Sequence, residues 1–114
     1  MNKNNKLYLL WTNGDPVTSE HMVMMYTTNA KLHGWWEEVE VIIWGASAPA
    51  LVGSEALRVK MEVAKEAGVR FSACVSCANN LGITKELEAL GVEVIRWGEK
   101  LTNLMKSGAH ILSV

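Results

Sequence analysis

The stretch KEAGVRFSACV, residues 65–75, decides the fold because it joins the end of a helix to a strand through a single glycine. Lys65 suits the negative end of a helix dipole, and Gly68 can take the left-handed conformation that ends a helix without a Cβ clash. The residues from Val69 onward are mostly apolar, as in a strand that is covered by helices on both faces. The stretch therefore predicts a helix followed at once by a buried strand.

The same pattern, a helical stretch that ends in glycine before an apolar run, occurs four times, at Gly34, Gly68, Gly91 and Gly108. One further apolar run precedes the first helix, so the predicted order is β-α-β-α-β-α-β-α-β. Right-handed crossovers then predict a three-layer α/β/α sandwich with a five-stranded, mainly parallel sheet. The predicted strands are Leu7–Thr12, Glu40–Trp44, Arg70–Cys74, Glu93–Trp97 and His110–Val114.

The length and composition are those of one domain. The chain has 114 residues, of which 49% are hydrophobic and 20% are charged, so we expect a single domain over residues 1–114. A chain of this size buries a smaller share of its surface than a larger one, and a subunit interface would stabilise it. Five Trp and six Met are many for so small a core, and we expect some of them at an interface or a pocket.

The net charge and the amino-terminal residues indicate which partners and which compartment to expect. The formal net charge is −1 and no basic stripe is visible, so nucleic-acid binding is not expected. The start of the chain is polar, and the apolar run Leu7–Trp11 is too short for a signal peptide or a membrane span. Two cysteines three positions apart do not make the disulfide framework of a secreted protein. We therefore expect a cytoplasmic protein with no membrane partner.

Cys74 is the strongest candidate for a reactive residue. In open parallel sheets, ligands bind beyond the carboxyl ends of the strands, and Cys74 ends the third predicted strand. A helical turn should follow, and a helix N-terminus favours the thiolate, which is the form that attacks sulfur. The alternative is a buried structural cysteine, since free cysteine is among the most buried residue types.

Cys77 makes a CxxC pair with Cys74, which at a strand-to-helix junction indicates a redox dithiol. A thioredoxin-like fold would mix strand directions, and the repeated helix-glycine-strand pattern does not favour that. As a metal site, CxxC supplies half of the four ligands that zinc usually takes, and the sequence has no second pair. We expect neither a metal nor an organic cofactor.

Six further residues are candidates for a pocket at the same edge of the sheet. Trp11, Trp44 and Trp97 end predicted strands, where they form either an apolar rim around a reactive sulfur or, as we favour, core and subunit packing. Asn13 and Gly14 form a turn after the first strand, and His21 lies in the first turns of the helix that follows.

The segment ACVSCANNLG, residues 73–82, is the most specific part of a resemblance that covers nearly the whole chain. Together with the opening strand and the Asn-Gly-Asp-Pro turn at residues 13–16, it resembles the DsrE/DsrF-like sulfur-relay family, which is also described with the YchN-like proteins. Members that carry sulfur have a cysteine at the end of this strand, followed by small residues and a glycine. Cys74 and Gly82 are that pair here, so the resemblance implies that Cys74 is the active cysteine.

The resemblance also implies a function and an assembly. It implies a three-layer α/β/α fold, homo- or hetero-oligomers that are often trimers or hexamers, and a cysteine that passes sulfane sulfur between donor and acceptor proteins. Members act in tRNA thiolation and in sulfur oxidation. This chain departs from the pattern in having Cys77, which could resolve a persulfide into a disulfide and release sulfide. It also has Asn79 and Asn80 where relay members usually have basic residues, which does not favour their usual partners or a link to tRNA.

Three functions therefore stay open. The first is a small cytoplasmic sulfur carrier that accepts a persulfide sulfur on Cys74. The second is a thiol–disulfide oxidoreductase that uses Cys74 and Cys77. The third is a non-catalytic binding domain that keeps only the fold and forms a homo-oligomer, which could be a dimer, a trimer or a hexamer.

Overall fold

The structure, a computed structural model, describes residues 5–114 of the chain. Within them, five strands form one sheet in which every neighbouring pair is parallel. The predicted three-layer α/β/α fold is confirmed, and the sheet is parallel throughout rather than mainly so. The strands are β1 Lys6–Trp11, β2 Glu38–Ile43, β3 Arg70–Cys74, β4 Glu93–Ile95 and β5 His110–Ser113.

The helices fill the connections between these strands. A long helix after β1 has two α-helical parts that are separated by a π-helical segment, Ser19–Met24. The connections after β2 and β3 each hold two helices, and the connection after β4 holds one. The α-helices are α1 Pro16–Thr18, α2 Met25–Leu32, α3 Ser47–Val52, α4 Glu55–Ala67, α5 Val75–Asn80, α6 Thr84–Ala89 and α7 Gly98–Lys106.

The strand order, β4-β3-β2-β1-β5, decides where the helices lie. The first three crossovers all step in one direction across the sheet, so their right-handed connections place α1 to α6 on one face. The last crossover steps back from β4 to the far side of β1, which places α7 on the other face. One face of the sheet is therefore covered by three helical connections and the other by α7.

Glycines end the helices as the sequence predicts. Gly34, Gly68, Gly91 and Gly108 all have positive φ, from 68° to 108°. L-residues with a Cβ rarely adopt this conformation, so glycine allows the chain to leave each helix and turn directly into the next strand.

Alternate residues of each strand build two apolar clusters, one on each face of the sheet. The larger cluster packs under α1 to α6 and includes Leu9, Val41 and Phe71. The smaller one lies under α7 and is made of Tyr8, Ile42, Cys74 and Trp97. Cys74 therefore belongs to the face that the single helix α7 covers.

A buried chain of hydrogen bonds fastens the start of α7 to the sheet. The indole Nε1–H of Trp97 donates to Ser72 Oγ over 3.0 Å, and the Ser72 hydroxyl donates to Glu40 Oε2 over 2.9 Å. The other Glu40 oxygen lies 3.4 Å from Lys6 Nζ. A buried polar group is costly unless it is paired, so this chain holds Trp97 in one position against β3.

No helix in residues 5–114 is both long and apolar enough to cross a membrane.

Candidate functional site

The candidate site lies at the carboxyl ends of β3 and β4, and the topology explains why a cavity opens there. The chain leaves β3 toward the face of α5 and α6, whereas it leaves β4 toward the opposite face, where α7 lies. Neighbouring strands whose connections part in this way leave a crevice between them, and this is where open α/β sheets bind ligands.

Cys74 lies at the bottom of this crevice. It is the last residue of β3 and the N-cap of α5, with an extended backbone at φ −71° and ψ 122°. Its side chain is buried, with 5% of its surface exposed, and it packs in the cluster under α7. The predicted position, at the end of a strand and before a helical turn, is confirmed.

Cys77 lies one turn further along α5 and is more exposed than Cys74; both thiols are free. Burial raises the pKa of the Cys77 thiol, the backbone N–H of Gly45 opposes that rise, and the neighbouring Cys74 side chain adds to it. A cysteine with a raised pKa keeps its proton at neutral pH. Cys77 is therefore a protonated thiol that lies beside the sulfur of Cys74.

The two thiols open into a cavity of about 660 Å³, which we call the thiol cavity. It is lined by Trp44, Cys74, Val75, Ser76, Cys77, Asn79, Arg96, Trp97 and Gly98. Its size is within the range of small-molecule sites. Arg96 is its one charged lining residue among those that the structure describes, and the remainder is apolar or neutral polar.

Trp44 and Trp97 both line the thiol cavity, which is the alternative that the sequence analysis favoured less. The hydroxyl of Ser47 accepts a hydrogen bond from the backbone N–H of Trp44 over 3.0 Å and donates one to the carbonyl of Trp11 over 2.6 Å. These bonds fix the turn after β2, from which Trp44 packs against the smaller cluster. Trp97 is fully buried and packs edge-on against Tyr8, so it forms a wall of the cavity.

Trp11 does not line the thiol cavity, so it is not a pocket residue beside Cys74; its core packing, which the sequence favours, is confirmed. It is fully buried in the larger cluster, on the opposite face of the sheet, and its Nε1–H donates to the carbonyl of Asn13 over 2.7 Å. Trp11 and Trp44 are at the same edge, but the side chains of β1 and β2 alternate between faces and these two have opposite parity in the sheet register.

Asn13, Gly14 and His21 also lie outside the lining of the thiol cavity. Asn13 Oδ1 accepts from the backbone N–H of Asp15 over 2.7 Å, which makes the turn into α1, and Gly14 faces Ala46. His21 is exposed on the π-helical segment. The first two residues shape a turn, and none of the three is placed for chemistry with Cys74.

Arg96 is a charged lining residue that the sequence did not predict, and Val75, Ser76, Asn79 and Gly98 are unpredicted as well. The predicted fourth strand, Glu93–Trp97, would have put Arg96 and Trp97 on opposite faces of the sheet. The strand ends at Ile95, so the backbone turns after it and both side chains line the cavity. The sequence carries no signal for this earlier strand end, and Arg96 was therefore not predicted at the cavity.

Other clusters of titratable groups lie elsewhere. A cavity of about 280 Å³ opens at the amino ends of β3 and β4 and is lined by Lys65, Arg70, Glu40 and Glu93 among others, with charges of both signs. In residues 5–114, no three His, Cys, Asp or Glu side chains are arranged to hold a metal ion.

Comparisons with known proteins place the chain beside two solved structures. The conserved protein of unknown function BT1422 from Bacteroides thetaiotaomicron is 33% identical, and its structure aligns with a TM-score of 0.96 over 100% of this chain and 98% of that one. MTH1491 from Methanobacterium thermoautotrophicum, also of unknown function, is 20% identical with a TM-score of 0.69, over 96% of this chain and 98% of its own. A scan against protein-family models and a search of curated proteins found no match.

Proposed function

The chain belongs to the same family as BT1422, a protein of unknown function, and we propose that it is a sulfur carrier that holds sulfane sulfur as a persulfide on Cys74. The observation that carries the proposal is the position of Cys74. Its sulfur lies at the end of a central strand, beside a second thiol, in a cavity of small-molecule size. The resemblance to the DsrE/DsrF-like family supports the same assignment.

Loading is a transfer between sulfur atoms. The Cys74 thiolate attacks the outer sulfur of a donor R–S–SH, the bond between the two donor sulfurs breaks, and R–S⁻ leaves with the bonding pair. The products are Cys74–S–SH and a donor thiolate. An acceptor thiolate then attacks the outer sulfur and releases the Cys74 thiolate. No electrons are gained or lost overall, so the cycle needs no redox cofactor.

Burial suits this cycle because a persulfide is easily lost to other thiols. Cys74 is 5% exposed, and Trp44 and Trp97 form apolar walls beside it. Only a donor or acceptor that enters the thiol cavity could reach the outer sulfur. A reducing compartment such as the cytoplasm would keep both thiols free between cycles.

The contact of Cys77 with Cys74 favours a second candidate, a thiol–disulfide oxidoreductase. The Cys77 thiolate could attack the inner sulfur of Cys74–S–SH, which forms the Cys74–Cys77 disulfide and releases HS⁻. An external dithiol would then reduce the disulfide. The raised pKa of Cys77 opposes this step at neutral pH, because only the thiolate attacks, and we therefore place the carrier first.

Intact-mass spectrometry after incubation with a persulfide donor tests the proposal. Wild type, Cys74→Ser and Cys77→Ser are compared. We expect a gain of one sulfur atom that requires Cys74, survives Cys77→Ser and is removed by excess thiol.

A loss of two hydrogens that requires both cysteines would support the oxidoreductase instead. No mass change in any of the three proteins, with Cys74 unreactive to alkylation, would contradict both chemistries and support a binding domain. Unfolding curves of both variants serve as the control that the fold is kept.

A further inference from the structure

We propose that the thiol cavity takes an anionic low-molecular-weight sulfane-sulfur donor, whose negative charge pairs with Arg96. This inference rests on the proposed sulfur-carrier function and adds the chemical class of the donor. It follows from the size of the cavity and from the charge and position of the residues that line it.

The size of the thiol cavity fits a small molecule. Its volume of about 660 Å³ is in the middle of the range for small-molecule sites, which is roughly 300–1,000 Å³. The buried thiol of Cys74 lies at its base, so a donor must place its outer sulfur deep in the cavity. A compact persulfide meets that condition, whereas a folded donor protein would need to extend a segment of chain into it.

The charge of the lining is positive. Arg96 lines the cavity, and the residues that the structure places around it there are apolar or neutral. Lys100 adds a second cation close by, since its Nζ lies 4.5 Å from the ring centroid of Trp97. Glu99, between them in the first turn of α7, is exposed and does not line the cavity. A guanidinium binds a carboxylate through charge-assisted hydrogen bonds, which is the recognition that an anionic donor would use.

Arg96 and the two thiols line the thiol cavity from neighbouring strands. Arg96 follows β4, whereas Cys74 and Cys77 belong to the junction of β3 and α5. β3 and β4 are neighbours, with Cys74 paired to Ile95, so the guanidinium and the thiols bound the same crevice. A donor that anchors its charged end on Arg96 can therefore direct its sulfur end toward Cys74.

The transfer step also produces a negative charge. As the Cys74 thiolate attacks the outer sulfur, the R–S⁻ leaving group develops within the cavity. Arg96 is exposed at the cavity, and a positioned cation stabilises a negative charge that develops close to it during the reaction. Arg96 is thus placed both to bind the donor and to favour departure of its thiolate.

The test measures the rate of sulfur loading with three persulfides of similar size and different charge. Persulfides of mercaptopropionate, mercaptoethanol and cysteamine carry an anionic, a neutral and a cationic R group, respectively, and are called the anionic, neutral and cationic donors. Loading on Cys74 is followed by intact mass in wild type, Arg96→Gln and Arg70→Gln. Arg70 is the matched control because it is an exposed arginine at the opposite end of β3.

We expect wild type to load fastest from the anionic donor. Arg96→Gln should slow loading from that donor about tenfold, which is the loss of one charge-assisted hydrogen bond, and should slow the neutral donor by a clearly smaller factor, since that donor loses only the stabilisation of its leaving thiolate. Arg70→Gln should change neither rate. Arg96→Lys should restore part of the rate, since it keeps the charge and loses the planar guanidinium.

Each of the other outcomes would overturn a different part of the proposal. Equal loading from all three donors, or equal effects of Arg96→Gln and Arg70→Gln, would overturn the anionic-donor inference while the carrier function stands. Loading from a persulfidated protein but from no small donor would overturn the small-molecule class. No loading of wild type from any donor would overturn the proposed function itself.

Discussion

At the scale of single residues, two cysteines of one motif have different environments. Cys74 caps a helix and is buried among the side chains under α7, whereas Cys77 is more exposed and lies against Gly45 and Cys74. The geometry thus separates a protected sulfur, suited to hold a labile group, from a neighbour that keeps its proton. The reactivity of Cys77 should therefore depend on Cys74.

Removing the Cys74 thiol should lower the pKa of Cys77. Burial is the largest cause that raises this pKa, and Cys74 adds to it, so Cys74→Ser removes the second cause and leaves the first. We expect the alkylation rate of Cys77, followed by peptide mass across the alkaline range, to rise at lower pH in the variant than in wild type. Ser76→Ala is the control and should leave the profile in place. If the pH midpoint of Cys77 alkylation were unchanged or higher in Cys74→Ser, the contact between Cys74 and Cys77 would be contradicted.

The hydroxyl of Ser72 should contribute measurably to the free energy of unfolding, although the side chain is small. It bridges Trp97 and Glu40, so Ser72→Ala leaves a buried indole N–H and one carboxylate oxygen without this partner. We expect a loss of about 1–3 kcal/mol in the free energy of unfolding, measured with urea. Ser76→Ala, at an exposed position, should stay within about 0.5 kcal/mol of wild type. Equal effects of the two substitutions on the free energy of unfolding would argue against the buried chain of hydrogen bonds.

At the scale of elements, the helix after β1 shows how local geometry can shift a predicted face. Helical spacing predicts one face from Met22, Tyr26 and Ala30. The buried positions along the π-helical segment and α2 are Ser19, Val23, Met24, Thr27 and Ala30, and Met22 and Tyr26 are only partly buried. The sequence carries no clear signal for a π-helix, and the prediction of this face is therefore only partly confirmed.

The glycine that ends α4 should be sensitive to substitution. Gly68 has φ +108°, so Gly68→Ala forces an L-residue into a left-handed conformation that costs about 1–2 kcal/mol. Gly98 starts α7 with no positive φ, and a Cβ there would meet nothing within 4 Å. Gly98→Ala should therefore leave the free energy of unfolding unchanged or raise it by up to about 1 kcal/mol. Thermal and urea unfolding of both variants would check that Gly68→Ala lowers the free energy of unfolding and that Gly98→Ala does not.

At the scale of the whole molecule, the helical surface carries several exposed apolar side chains. Met25, Val59 and Val63 are 51%, 56% and 49% exposed, and Met25 and Val63 line one shallow cavity between α2 and α4. Val59 lies one turn before Val63 on the same side of α4. We call these three residues the apolar helix patch.

We expect the chain to form a homo-oligomer in solution through the apolar helix patch. Light scattering after size-exclusion chromatography should give a mass above that of the monomer. Val63→Glu should lower that mass, because it places a charge in an apolar contact, while Glu66→Gln on the same helix should not. A monomeric wild type would contradict the expectation, and an assembly that Val63→Glu leaves intact would place the interface elsewhere.

The sequence by itself determined the order of the elements and the end of the strand that carries Cys74. Glycines after helical stretches and apolar runs are local signals, because a left-handed turn and a buried strand depend on the residues next to them. They placed all five strands within a few residues, and β3 at its observed bounds. They also placed Cys74 at a strand end and Cys77 one turn later, since CxxC spacing on a helix is local too.

Only the tertiary structure decided what surrounds Cys74. The strand order puts β3 beside β4 with their connections on opposite faces, and this opens the thiol cavity. The same order buries Trp11 on the far face while Trp44 and Trp97 line the cavity, and it brings in Arg96, which is distant from Cys74 in sequence. Strand order depends on long-range contacts between whole elements. No local pattern of residues could therefore have placed a cation in one cavity with the two thiols.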